Sequence, residues 1–173
     1  SLHHVQSLLN SVLDQARTQH REAAEAELVV LGDLLAQVAA RHAAKAEAKG
    51  LRLTWVHSSR ELRAPALLLH RLLDNLVSNA VRYTPRGRIL IGVRPRPEGL
   101  ELQVLDTGVG LSSAQLAVLR QPFQQLSAQA AEGHGLGLYI VRSLCQECGY
   151  TLRVSSEPGR GSCFAIHMPA DDD

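Results

Sequence analysis

The sequence predicts an α/β sandwich of the α+β class, a mixed sheet that carries its helices on one face. Three observations predict it. Apolar residues alternate along Ile89, Ile91 and Val93 and again along Leu100, Leu102 and Val104, with Pro97-Glu98-Gly99 between them, which is hairpin chemistry. The stretch after Pro65 brings Leu68, Leu69, Leu72, Leu73, Leu76 and Val77 to one side of a helix. Paired strands and helices interleave along the chain, and such elements bury their apolar faces by stacking in layers.

Taken in order, residues 1–27 read as a helix. Leu2, Val5, Leu9, Val12 and Ala16 step by three and four, a narrow apolar seam suited to a second helix. Such a helix needs a partner in cis or in trans, or lies on its own domain. Leu28 to Leu31 is a short strand-like run. A helix opened by Asp33 turns Leu34, Leu35, Val38 and Ala39 inward and stops at Gly50, behind a Lys-rich turn. Leu51, Leu53, Trp55 and Val56 suggest a strand. The helix begun by Pro65 runs to about Tyr83, where Thr84-Pro85-Arg86-Gly87 breaks it. After the hairpin, Ser112 or Ser113 caps a short helix ending near Arg120. Residues 121–134 lack periodicity and read as a mobile loop. Leu136 to Gln146 is helical. Leu152 and Val154, then Cys163, Phe164 and Ile166, form a closing pair of strands around Pro158-Gly159-Arg160-Gly161. The expected organisation is a helix over 1–27, a domain over 28–170, and a disordered tail over 171–173.

Composition removes several functions. The 173 residues suffice for one domain with a core that needs no staples. Eighteen Lys and Arg against 17 Asp and Glu make a net charge of +1, which argues against a nucleic-acid-binding field or a polybasic membrane anchor. Aromatics are 3%, so the core is built of Leu, Ala and Val, and stacking platforms for single strands are disfavoured. No run approaches the roughly 18 apolar residues of a membrane span. The start, Ser1-Leu2-His3-His4, shows no signal-peptide pattern and lacks Met, so the chain is expected to be a piece of a larger protein. Three cysteines suit a reducing, cytoplasmic setting. Cys145 and Cys148 form a C-x-x-C without a second pair at ligand spacing. They read as small inert residues on a helix, with zinc or redox chemistry the weaker alternative.

Three glycine-bearing segments carry the chemistry. Asp106-Thr107-Gly108-Val109-Gly110 directly follows a strand. Gly133-His134-Gly135-Leu136-Gly137-Leu138 leads into a helix, and Gly159-Arg160-Gly161 joins two strands. A Gly-rich loop feeding a helix offers free N–H groups and the positive end of the helix dipole to phosphate. There is no P-loop and no βαβ unit opened by G-x-G-x-x-G. On the helix from Pro65, Asn75 and Asn79 share a face, followed by Arg82 and Tyr83. Paired amide oxygens ahead of a phosphate site suggest ligands for a hard cation such as Mg²⁺.

Together these segments resemble the boxes of bacterial sensor histidine kinases. The run His70 to Pro85, with Asp74-Asn75-Leu76-Val77-Ser78-Asn79 at its centre, is similar to their N box. Asp106 to Leu111 resembles the G1 box, Gln121-Pro122-Phe123-Gln124-Gln125 the F box, Gly133 to Leu138 the G2 box, and Ser156 to Phe164 the last G-rich turn. The boxes keep the family's order and spacing over roughly residues 28–168. The resemblance implies the Bergerat-type fold shared with Hsp90, gyrase B and MutL, with a mixed, mostly antiparallel sheet preceded here by the N-terminal helix.

It also implies roles. Asn79 would hold the Mg²⁺ that bridges the ATP phosphates, with Asn75 supporting the ion or its waters. Arg82 would meet phosphate and Tyr83 would line the pocket. Asp106 would accept the adenine amino hydrogen, with Gly108 and Gly110 letting the backbone approach the base. Gly133, Gly135, Leu136, Gly137 and Leu138 would serve the phosphates, and Ser162 would complete the ATP-binding set. Residues 121–134 would be the ATP lid, anchored by Phe123. The lid departs from the family pattern in having no Lys or Arg, and Gln125 stands where Arg is frequent.

No histidine sits in the family's phosphoacceptor motif, so residues 1–27 resemble the second helix of the dimerisation hairpin. The implied function is ATP-dependent phosphotransfer to a histidine outside this chain. The implied partners are the dimerisation helices of the same kinase, a response-regulator receiver domain, and a second copy through residues 1–27. The expected location is the cytoplasm, with the parent protein anchored in the inner membrane or not. The alternatives are a nucleotide-sensing module without phosphotransfer and an anti-sigma-type serine kinase.

Overall fold

The structure, a computed structural model, describes residues 25–119 and 136–170 together with Val5, Gln6 and Leu9. In chain order the elements are β1 (Glu27–Val30), α1 (Leu31–Ala48), β2 (Arg52–Trp55), β3 (Glu61–Ala64), α2 (Ala66–Tyr83), β4 (Arg88–Arg96), β5 (Gly99–Asp106), α3 (Ser113–Leu119), α4 (Leu136–Cys148), β6 (Thr151–Glu157) and β7 (Gly161–Pro169). Val5, Gln6 and Leu9 are helical and Leu9 is buried. The rest of the helix expected over 1–27, and the tail, lie outside the described residues.

Five strands form the main sheet in the order β2-β4-β5-β7-β6. Among the described strands only β2 and β4 pair in parallel, so the sheet is mixed and mostly antiparallel, as the resemblance implies. One face carries α1, α2 and α4. Strand alternation decides which residues meet them. Trp55, Ile91, Val104, Phe164 and Val154 are register partners across all five strands, and most are buried in the common core. The next row toward the sheet's end is Leu53, Ile89, Asp106, Ser162 and Ser156. It begins apolar and turns polar on the last three strands, and that change locates the site. The β4–β5 hairpin closes through Pro97 and Glu98, with Arg96 facing Gly99, as its sequence predicts.

A second ribbon pairs β1 with β3, Glu27 facing Ala64 and Val30 facing Glu61. β1 is the expected apolar strand, except that Leu31 belongs to the helix. β3 was not expected: Arg60-Glu61-Leu62-Arg63 offers one large apolar residue among charges, too little pattern to register as a strand. α1 starts at Leu31 rather than Asp33, which lies in the first turn and makes no side-chain cap. It ends at Gly50 (φ +73), with the Gly50 and Leu51 N–H groups returning to Glu47 and Ala46. At α3, Ser112 is the cap. Its hydroxyl accepts from the Gln115 N–H at 3.1 Å and the Gln115 side chain accepts from the Ser112 N–H at 2.9 Å. α4 runs two residues past Gln146.

α2 lies at the centre of the helical layer, against α1, α4 and β5. Leu69, Leu72, Leu73, Leu76 and Val77 are fully buried, each side chain contributing about 1.5–3 kcal/mol. Polar contacts fix it to α1. The Arg41 guanidinium donates to both Asp74 oxygens, Oδ1 at 3.1 Å and Oδ2 at 3.0 Å. His42 Nε2 lies 3.0 Å from Asp74 Oδ1, and Arg41 Nη2 lies 2.8 Å from His70 Nδ1. Beyond α1, the Lys49 ammonium donates to the carbonyls of Val81 and Arg82, where the helix dipole is negative. These contacts set the end of α2 on which the candidate site depends. Among the described residues no helix is long and apolar enough to cross a membrane.

Candidate functional site

Asp106 ends β5 on the helix-facing side, after Leu102 and Val104. The Gly108 N–H donates to its Oδ1 at 2.9 Å, and the Ser162 N–H also bonds the carboxyl. Burial pushes this carboxyl above its usual range, and the two N–H groups offset part of the shift. Among the described residues no cation influences it. A desolvated carboxylate held by backbone donors is a strong acceptor for a neutral N–H donor of a ligand.

Close packing holds this loop. Gly110 has φ +74, and a Cβ there would collide with the Glu157 carbonyl. The Gly159 N–H donates to the Val109 carbonyl at 2.8 Å, and the Leu111 N–H to Ser156 Oγ at 2.6 Å. Ser156 gives its proton to the Gly161 carbonyl at 3.1 Å and lies 2.7 Å from Ser162 Oγ. With that proton committed, the Ser162 hydroxyl is the donor between the two. The loop after β5 is thereby tied to the β6–β7 turn.

The C-terminal end of α2 closes the other side. A Cβ on Gly108 would lie 2.9 Å from the Tyr83 carbonyl, 3.0 Å from Asp106 Oδ1 and 3.0 Å from Thr84 Oγ1. Thr84 is wholly buried. Asn75, Asn79 and Arg82 step by four and three along one face of α2. Asn75 Nδ2 donates to the Arg71 carbonyl at 2.8 Å, which turns its Oδ1 away from the helix backbone. Asn79 is half-buried, Arg82 is exposed, and Tyr83 is 53% exposed, a large apolar surface beside the Asp106 loop.

Residues 64–172 match the family described as histidine kinase-, DNA gyrase B- and HSP90-like ATPase. The chain belongs to this family. It is 33% identical over 179 residues to an uncharacterized sensor-like histidine kinase of Rhizobium meliloti (strain 1021), covering 97% of this chain and 33% of that protein. It is also 33% identical over 179 residues to the sensor histidine kinase GlrK of Escherichia coli (strain K12), covering 98% of this chain and 37% of that one. Among solved structures, full-length ShkA in complex with AMPPNP aligns with a TM-score of 0.68 at 27% identity, over 84% of this chain and 32% of that chain. The chain therefore spans about a third of the length of these relatives, and its fold is that of a histidine kinase catalytic domain.

Within this ATPase domain the structure brings together Asp106, Gly108, Gly110, Ser162 and the end of α2 with Tyr83. Leu138 is buried in the common core. Leu136 and Gly137 open α4. Phe123, Gly133, Gly135 and the expected lid over 121–134 lie outside the described residues. Sequence reasoning missed Thr84, Ser156 and Lys49. For Ser156 a signal was present, since it continues the alternation of Leu152 and Val154 onto the helix-facing side. The C-x-x-C pair carries no reactive thiol. Burial pushes Cys145 up to about 12 and Cys148 up to about 11, and Cys148 donates to the Leu144 carbonyl. Among the described residues no group of three or more His, Cys, Asp or Glu is placed to hold a metal.

Proposed function

We propose that this chain is the ATP-binding catalytic part of a sensor histidine kinase, and that it supplies ATP for phosphoryl transfer to a histidine outside the chain. The observation that carries the reading is Asp106. Its carboxylate is desolvated, held by two backbone N–H groups and flanked by glycines that admit no side chain. That arrangement suits the exocyclic amine of adenine, and a keto oxygen at the same position would face a carboxylate and be rejected. Gly110 and the β6–β7 turn keep the loop in place while the base docks.

The Asn75–Asn79 face would hold a Mg²⁺ ion. The donor set fits a hard cation, since both offer amide oxygens and Asn75 already presents its oxygen outward. When bound, the ion neutralises charge between the phosphates. Arg82, exposed one turn further, would meet phosphate oxygens. The chain's own work is orientation and charge neutralisation, which is what phosphoryl transfer needs from a domain without a nucleophile. Residues 28–170 would be the catalytic unit and residues 1–27 the second helix of a dimerisation hairpin. The partners would be the phosphoacceptor helices, a second copy and a receiver domain, in the cytoplasm.

The test is calorimetric titration with a non-hydrolysable ATP analogue, with and without Mg²⁺. Wild type should bind, Asp106→Asn should abolish binding, and Asn79→Ala should remove mainly the Mg²⁺ dependence. Adenine-nucleotide affinity that survives Asp106→Asn would overturn the assignment.

A further inference from the structure

Thr107 is the residue of the loop after β5 whose side chain the reading above leaves unused. It directly follows Asp106, the last residue of β5. Asp106 faces Ile89 across the β4–β5 ladder, so the next rung falls to Arg88 and Thr107. In an antiparallel ladder such a rung has two bonds, each residue's N–H donating to the other's carbonyl. The first bond is regular: the Thr107 N–H donates to the Arg88 carbonyl at 3.1 Å. The return bond is not. The Arg88 N–H donates at 3.0 Å to the Thr107 hydroxyl, Oγ1, in place of the Thr107 carbonyl.

The exchange frees the next peptide unit. The Thr107 carbonyl and the Gly108 N–H belong to one planar trans unit and point in opposite directions. A Thr107 carbonyl turned to Arg88 would continue the strand and carry the Gly108 N–H away from Asp106. With the hydroxyl closing the rung, the unit turns instead, and the Gly108 N–H reaches Asp106 Oδ1 at 2.9 Å. Gly87 leaves room for this hydroxyl. It has φ +116, and a Cβ there would collide with Thr107 Oγ1. The Gly87 carbonyl in turn accepts from the Arg52 N–H at 3.0 Å, so the start of β4 is held from β2 as well.

We propose that Thr107 is a positioning residue for nucleobase recognition: its hydroxyl completes the β4–β5 ladder, so that the peptide after it can hold the Asp106 carboxylate. The inference rests on the nucleotide reading for its functional half. Asp106 accepts from a base only while its carboxylate is ionised and fixed in direction. The Gly108 N–H serves both needs, since a bond to the charged form favours it against the burial that disfavours it. Thr107 is itself exposed, so its side chain is not there to fill the core. An acceptor of the same reach would serve the rung, and an apolar side chain of the same shape would not.

The experiment compares Thr107→Val, which replaces the hydroxyl by a methyl of the same shape, with Thr107→Ser, which keeps it. Thr107→Ala is a second hydroxyl-free variant. Amide exchange at Arg88 and Gly108 and the titration of the Asp106 carboxyl are followed by NMR in the nucleotide-free chain. ATP- and GTP-analogue affinities are measured in parallel, with and without Mg²⁺. Thr107→Val should speed exchange at both amides and raise the Asp106 midpoint. It should weaken the ATP analogue about fivefold, the loss of one net hydrogen bond, and narrow the preference over the GTP analogue by the same factor. The Mg²⁺ dependence should not change, and Thr107→Ser should behave as wild type. Unchanged Gly108 exchange with an unchanged Asp106 midpoint in the hydroxyl-free variants overturns the proposal. So does an equal loss in Thr107→Ser, which would mean that the methyl packs rather than that the hydroxyl bonds. Equal weakening of the ATP and GTP analogues overturns it too, because the effect would then be a general loosening. A wild type that binds no ATP analogue overturns the nucleotide reading instead, and Gly108 exchange with the Asp106 midpoint still decides how the carboxylate is held.

Discussion

Replacing Asp74 by Asn should destabilise the domain at neutral pH and make His70 harder to protonate. Asp74 takes two bonds from Arg41 and one from His42, and Arg41 also reaches His70 Nδ1. Arg41 can only donate, so Nδ1 is the acceptor and His70 is neutral with its proton on Nε2. Burial alone would raise the Asp74 carboxyl. The hydrogen bonds from His42 and Arg41, with their charges, outweigh it and hold the carboxyl below its usual 3.8. Burial first, then the Arg41 charge, pushes His70 below its usual 6.5, while Asp74 pulls it back up. An acid with a lowered folded pKa stabilises above its unfolded value and loses that stability as pH falls through the folded one. A base with a lowered folded pKa does the same below 6.5. Acidification should therefore weaken the domain first through His70, under 6.5, and then through Asp74, under 3.8. The Arg41 and Asp74 side chains are 44% and 34% exposed, so water screens the pair and Asp74→Asn should cost only about 1 kcal/mol at neutral pH. Urea unfolding across pH, with NMR titration of His70, measures both. The penalty should shrink once the pH passes below 3.8, and the His70 midpoint should fall in the variant. A constant penalty, or a His70 midpoint that stays or rises, would refute the reasoning.

Gly110→Ala should cost about 2 kcal/mol or more in denaturant unfolding, because it strains a positive φ and drives a methyl into the Glu157 carbonyl. ATP-analogue binding should fall with it, and a neutral substitution would mean the β6–β7 turn is not fixed as described. Cys145 and Cys148, pushed up to about 12 and about 11, should resist thiol reagents at neutral pH until the chain unfolds. Their labelling at the rate of a free thiol in the native protein would contradict this. Lys49→Ala should lower stability by less than about 1 kcal/mol yet loosen the last turn of α2, read as faster amide exchange at Ala80 to Thr84. Unchanged exchange there would show that the ammonium does not hold that turn.

The parts of the fold that could be read in advance are those written in short-range pattern. The Pro97-Glu98-Gly99 hairpin and the Leu-rich face of α2 need only a few neighbouring residues to declare themselves. β3 does not, because its strand character comes from pairing with β1 more than thirty residues earlier. The same division holds in the site. Asn75 and Asn79 are neighbours on one helix face and announce themselves by spacing. Ser156 meets the Leu111 N–H across 45 positions, and Arg41 meets Asp74 across 33. Which hydroxyl or carboxylate finds which partner at that range is set by register and helix docking, which no local spacing encodes.

The residues that resist explanation by folding alone lie close together. Leu72 or Ile91 needs no account beyond the core it fills. Asp106 is a carboxyl that burial makes harder to ionise, at the end of a strand whose helix-facing alternation calls for another apolar residue. Thr84 has a buried hydroxyl with no hydrogen-bond partner among the described residues. Tyr83 spreads an aromatic ring into solvent. Each lowers stability or leaves it unimproved, and all three border the loop after β5. A sequence selected for stability alone would replace them, whereas a sequence that must hold a ligand there would retain them. The cost is met by the elements around the site: Lys49 on the end of α2, Arg41 and His42 on Asp74, and Ser156 on the loop. This division between a costly site and a supporting frame is why Asp106 and Asn79 variants should change affinity, Asp74 and Lys49 variants should change stability, and only a residue that belongs to both, such as Gly110, should change the two together.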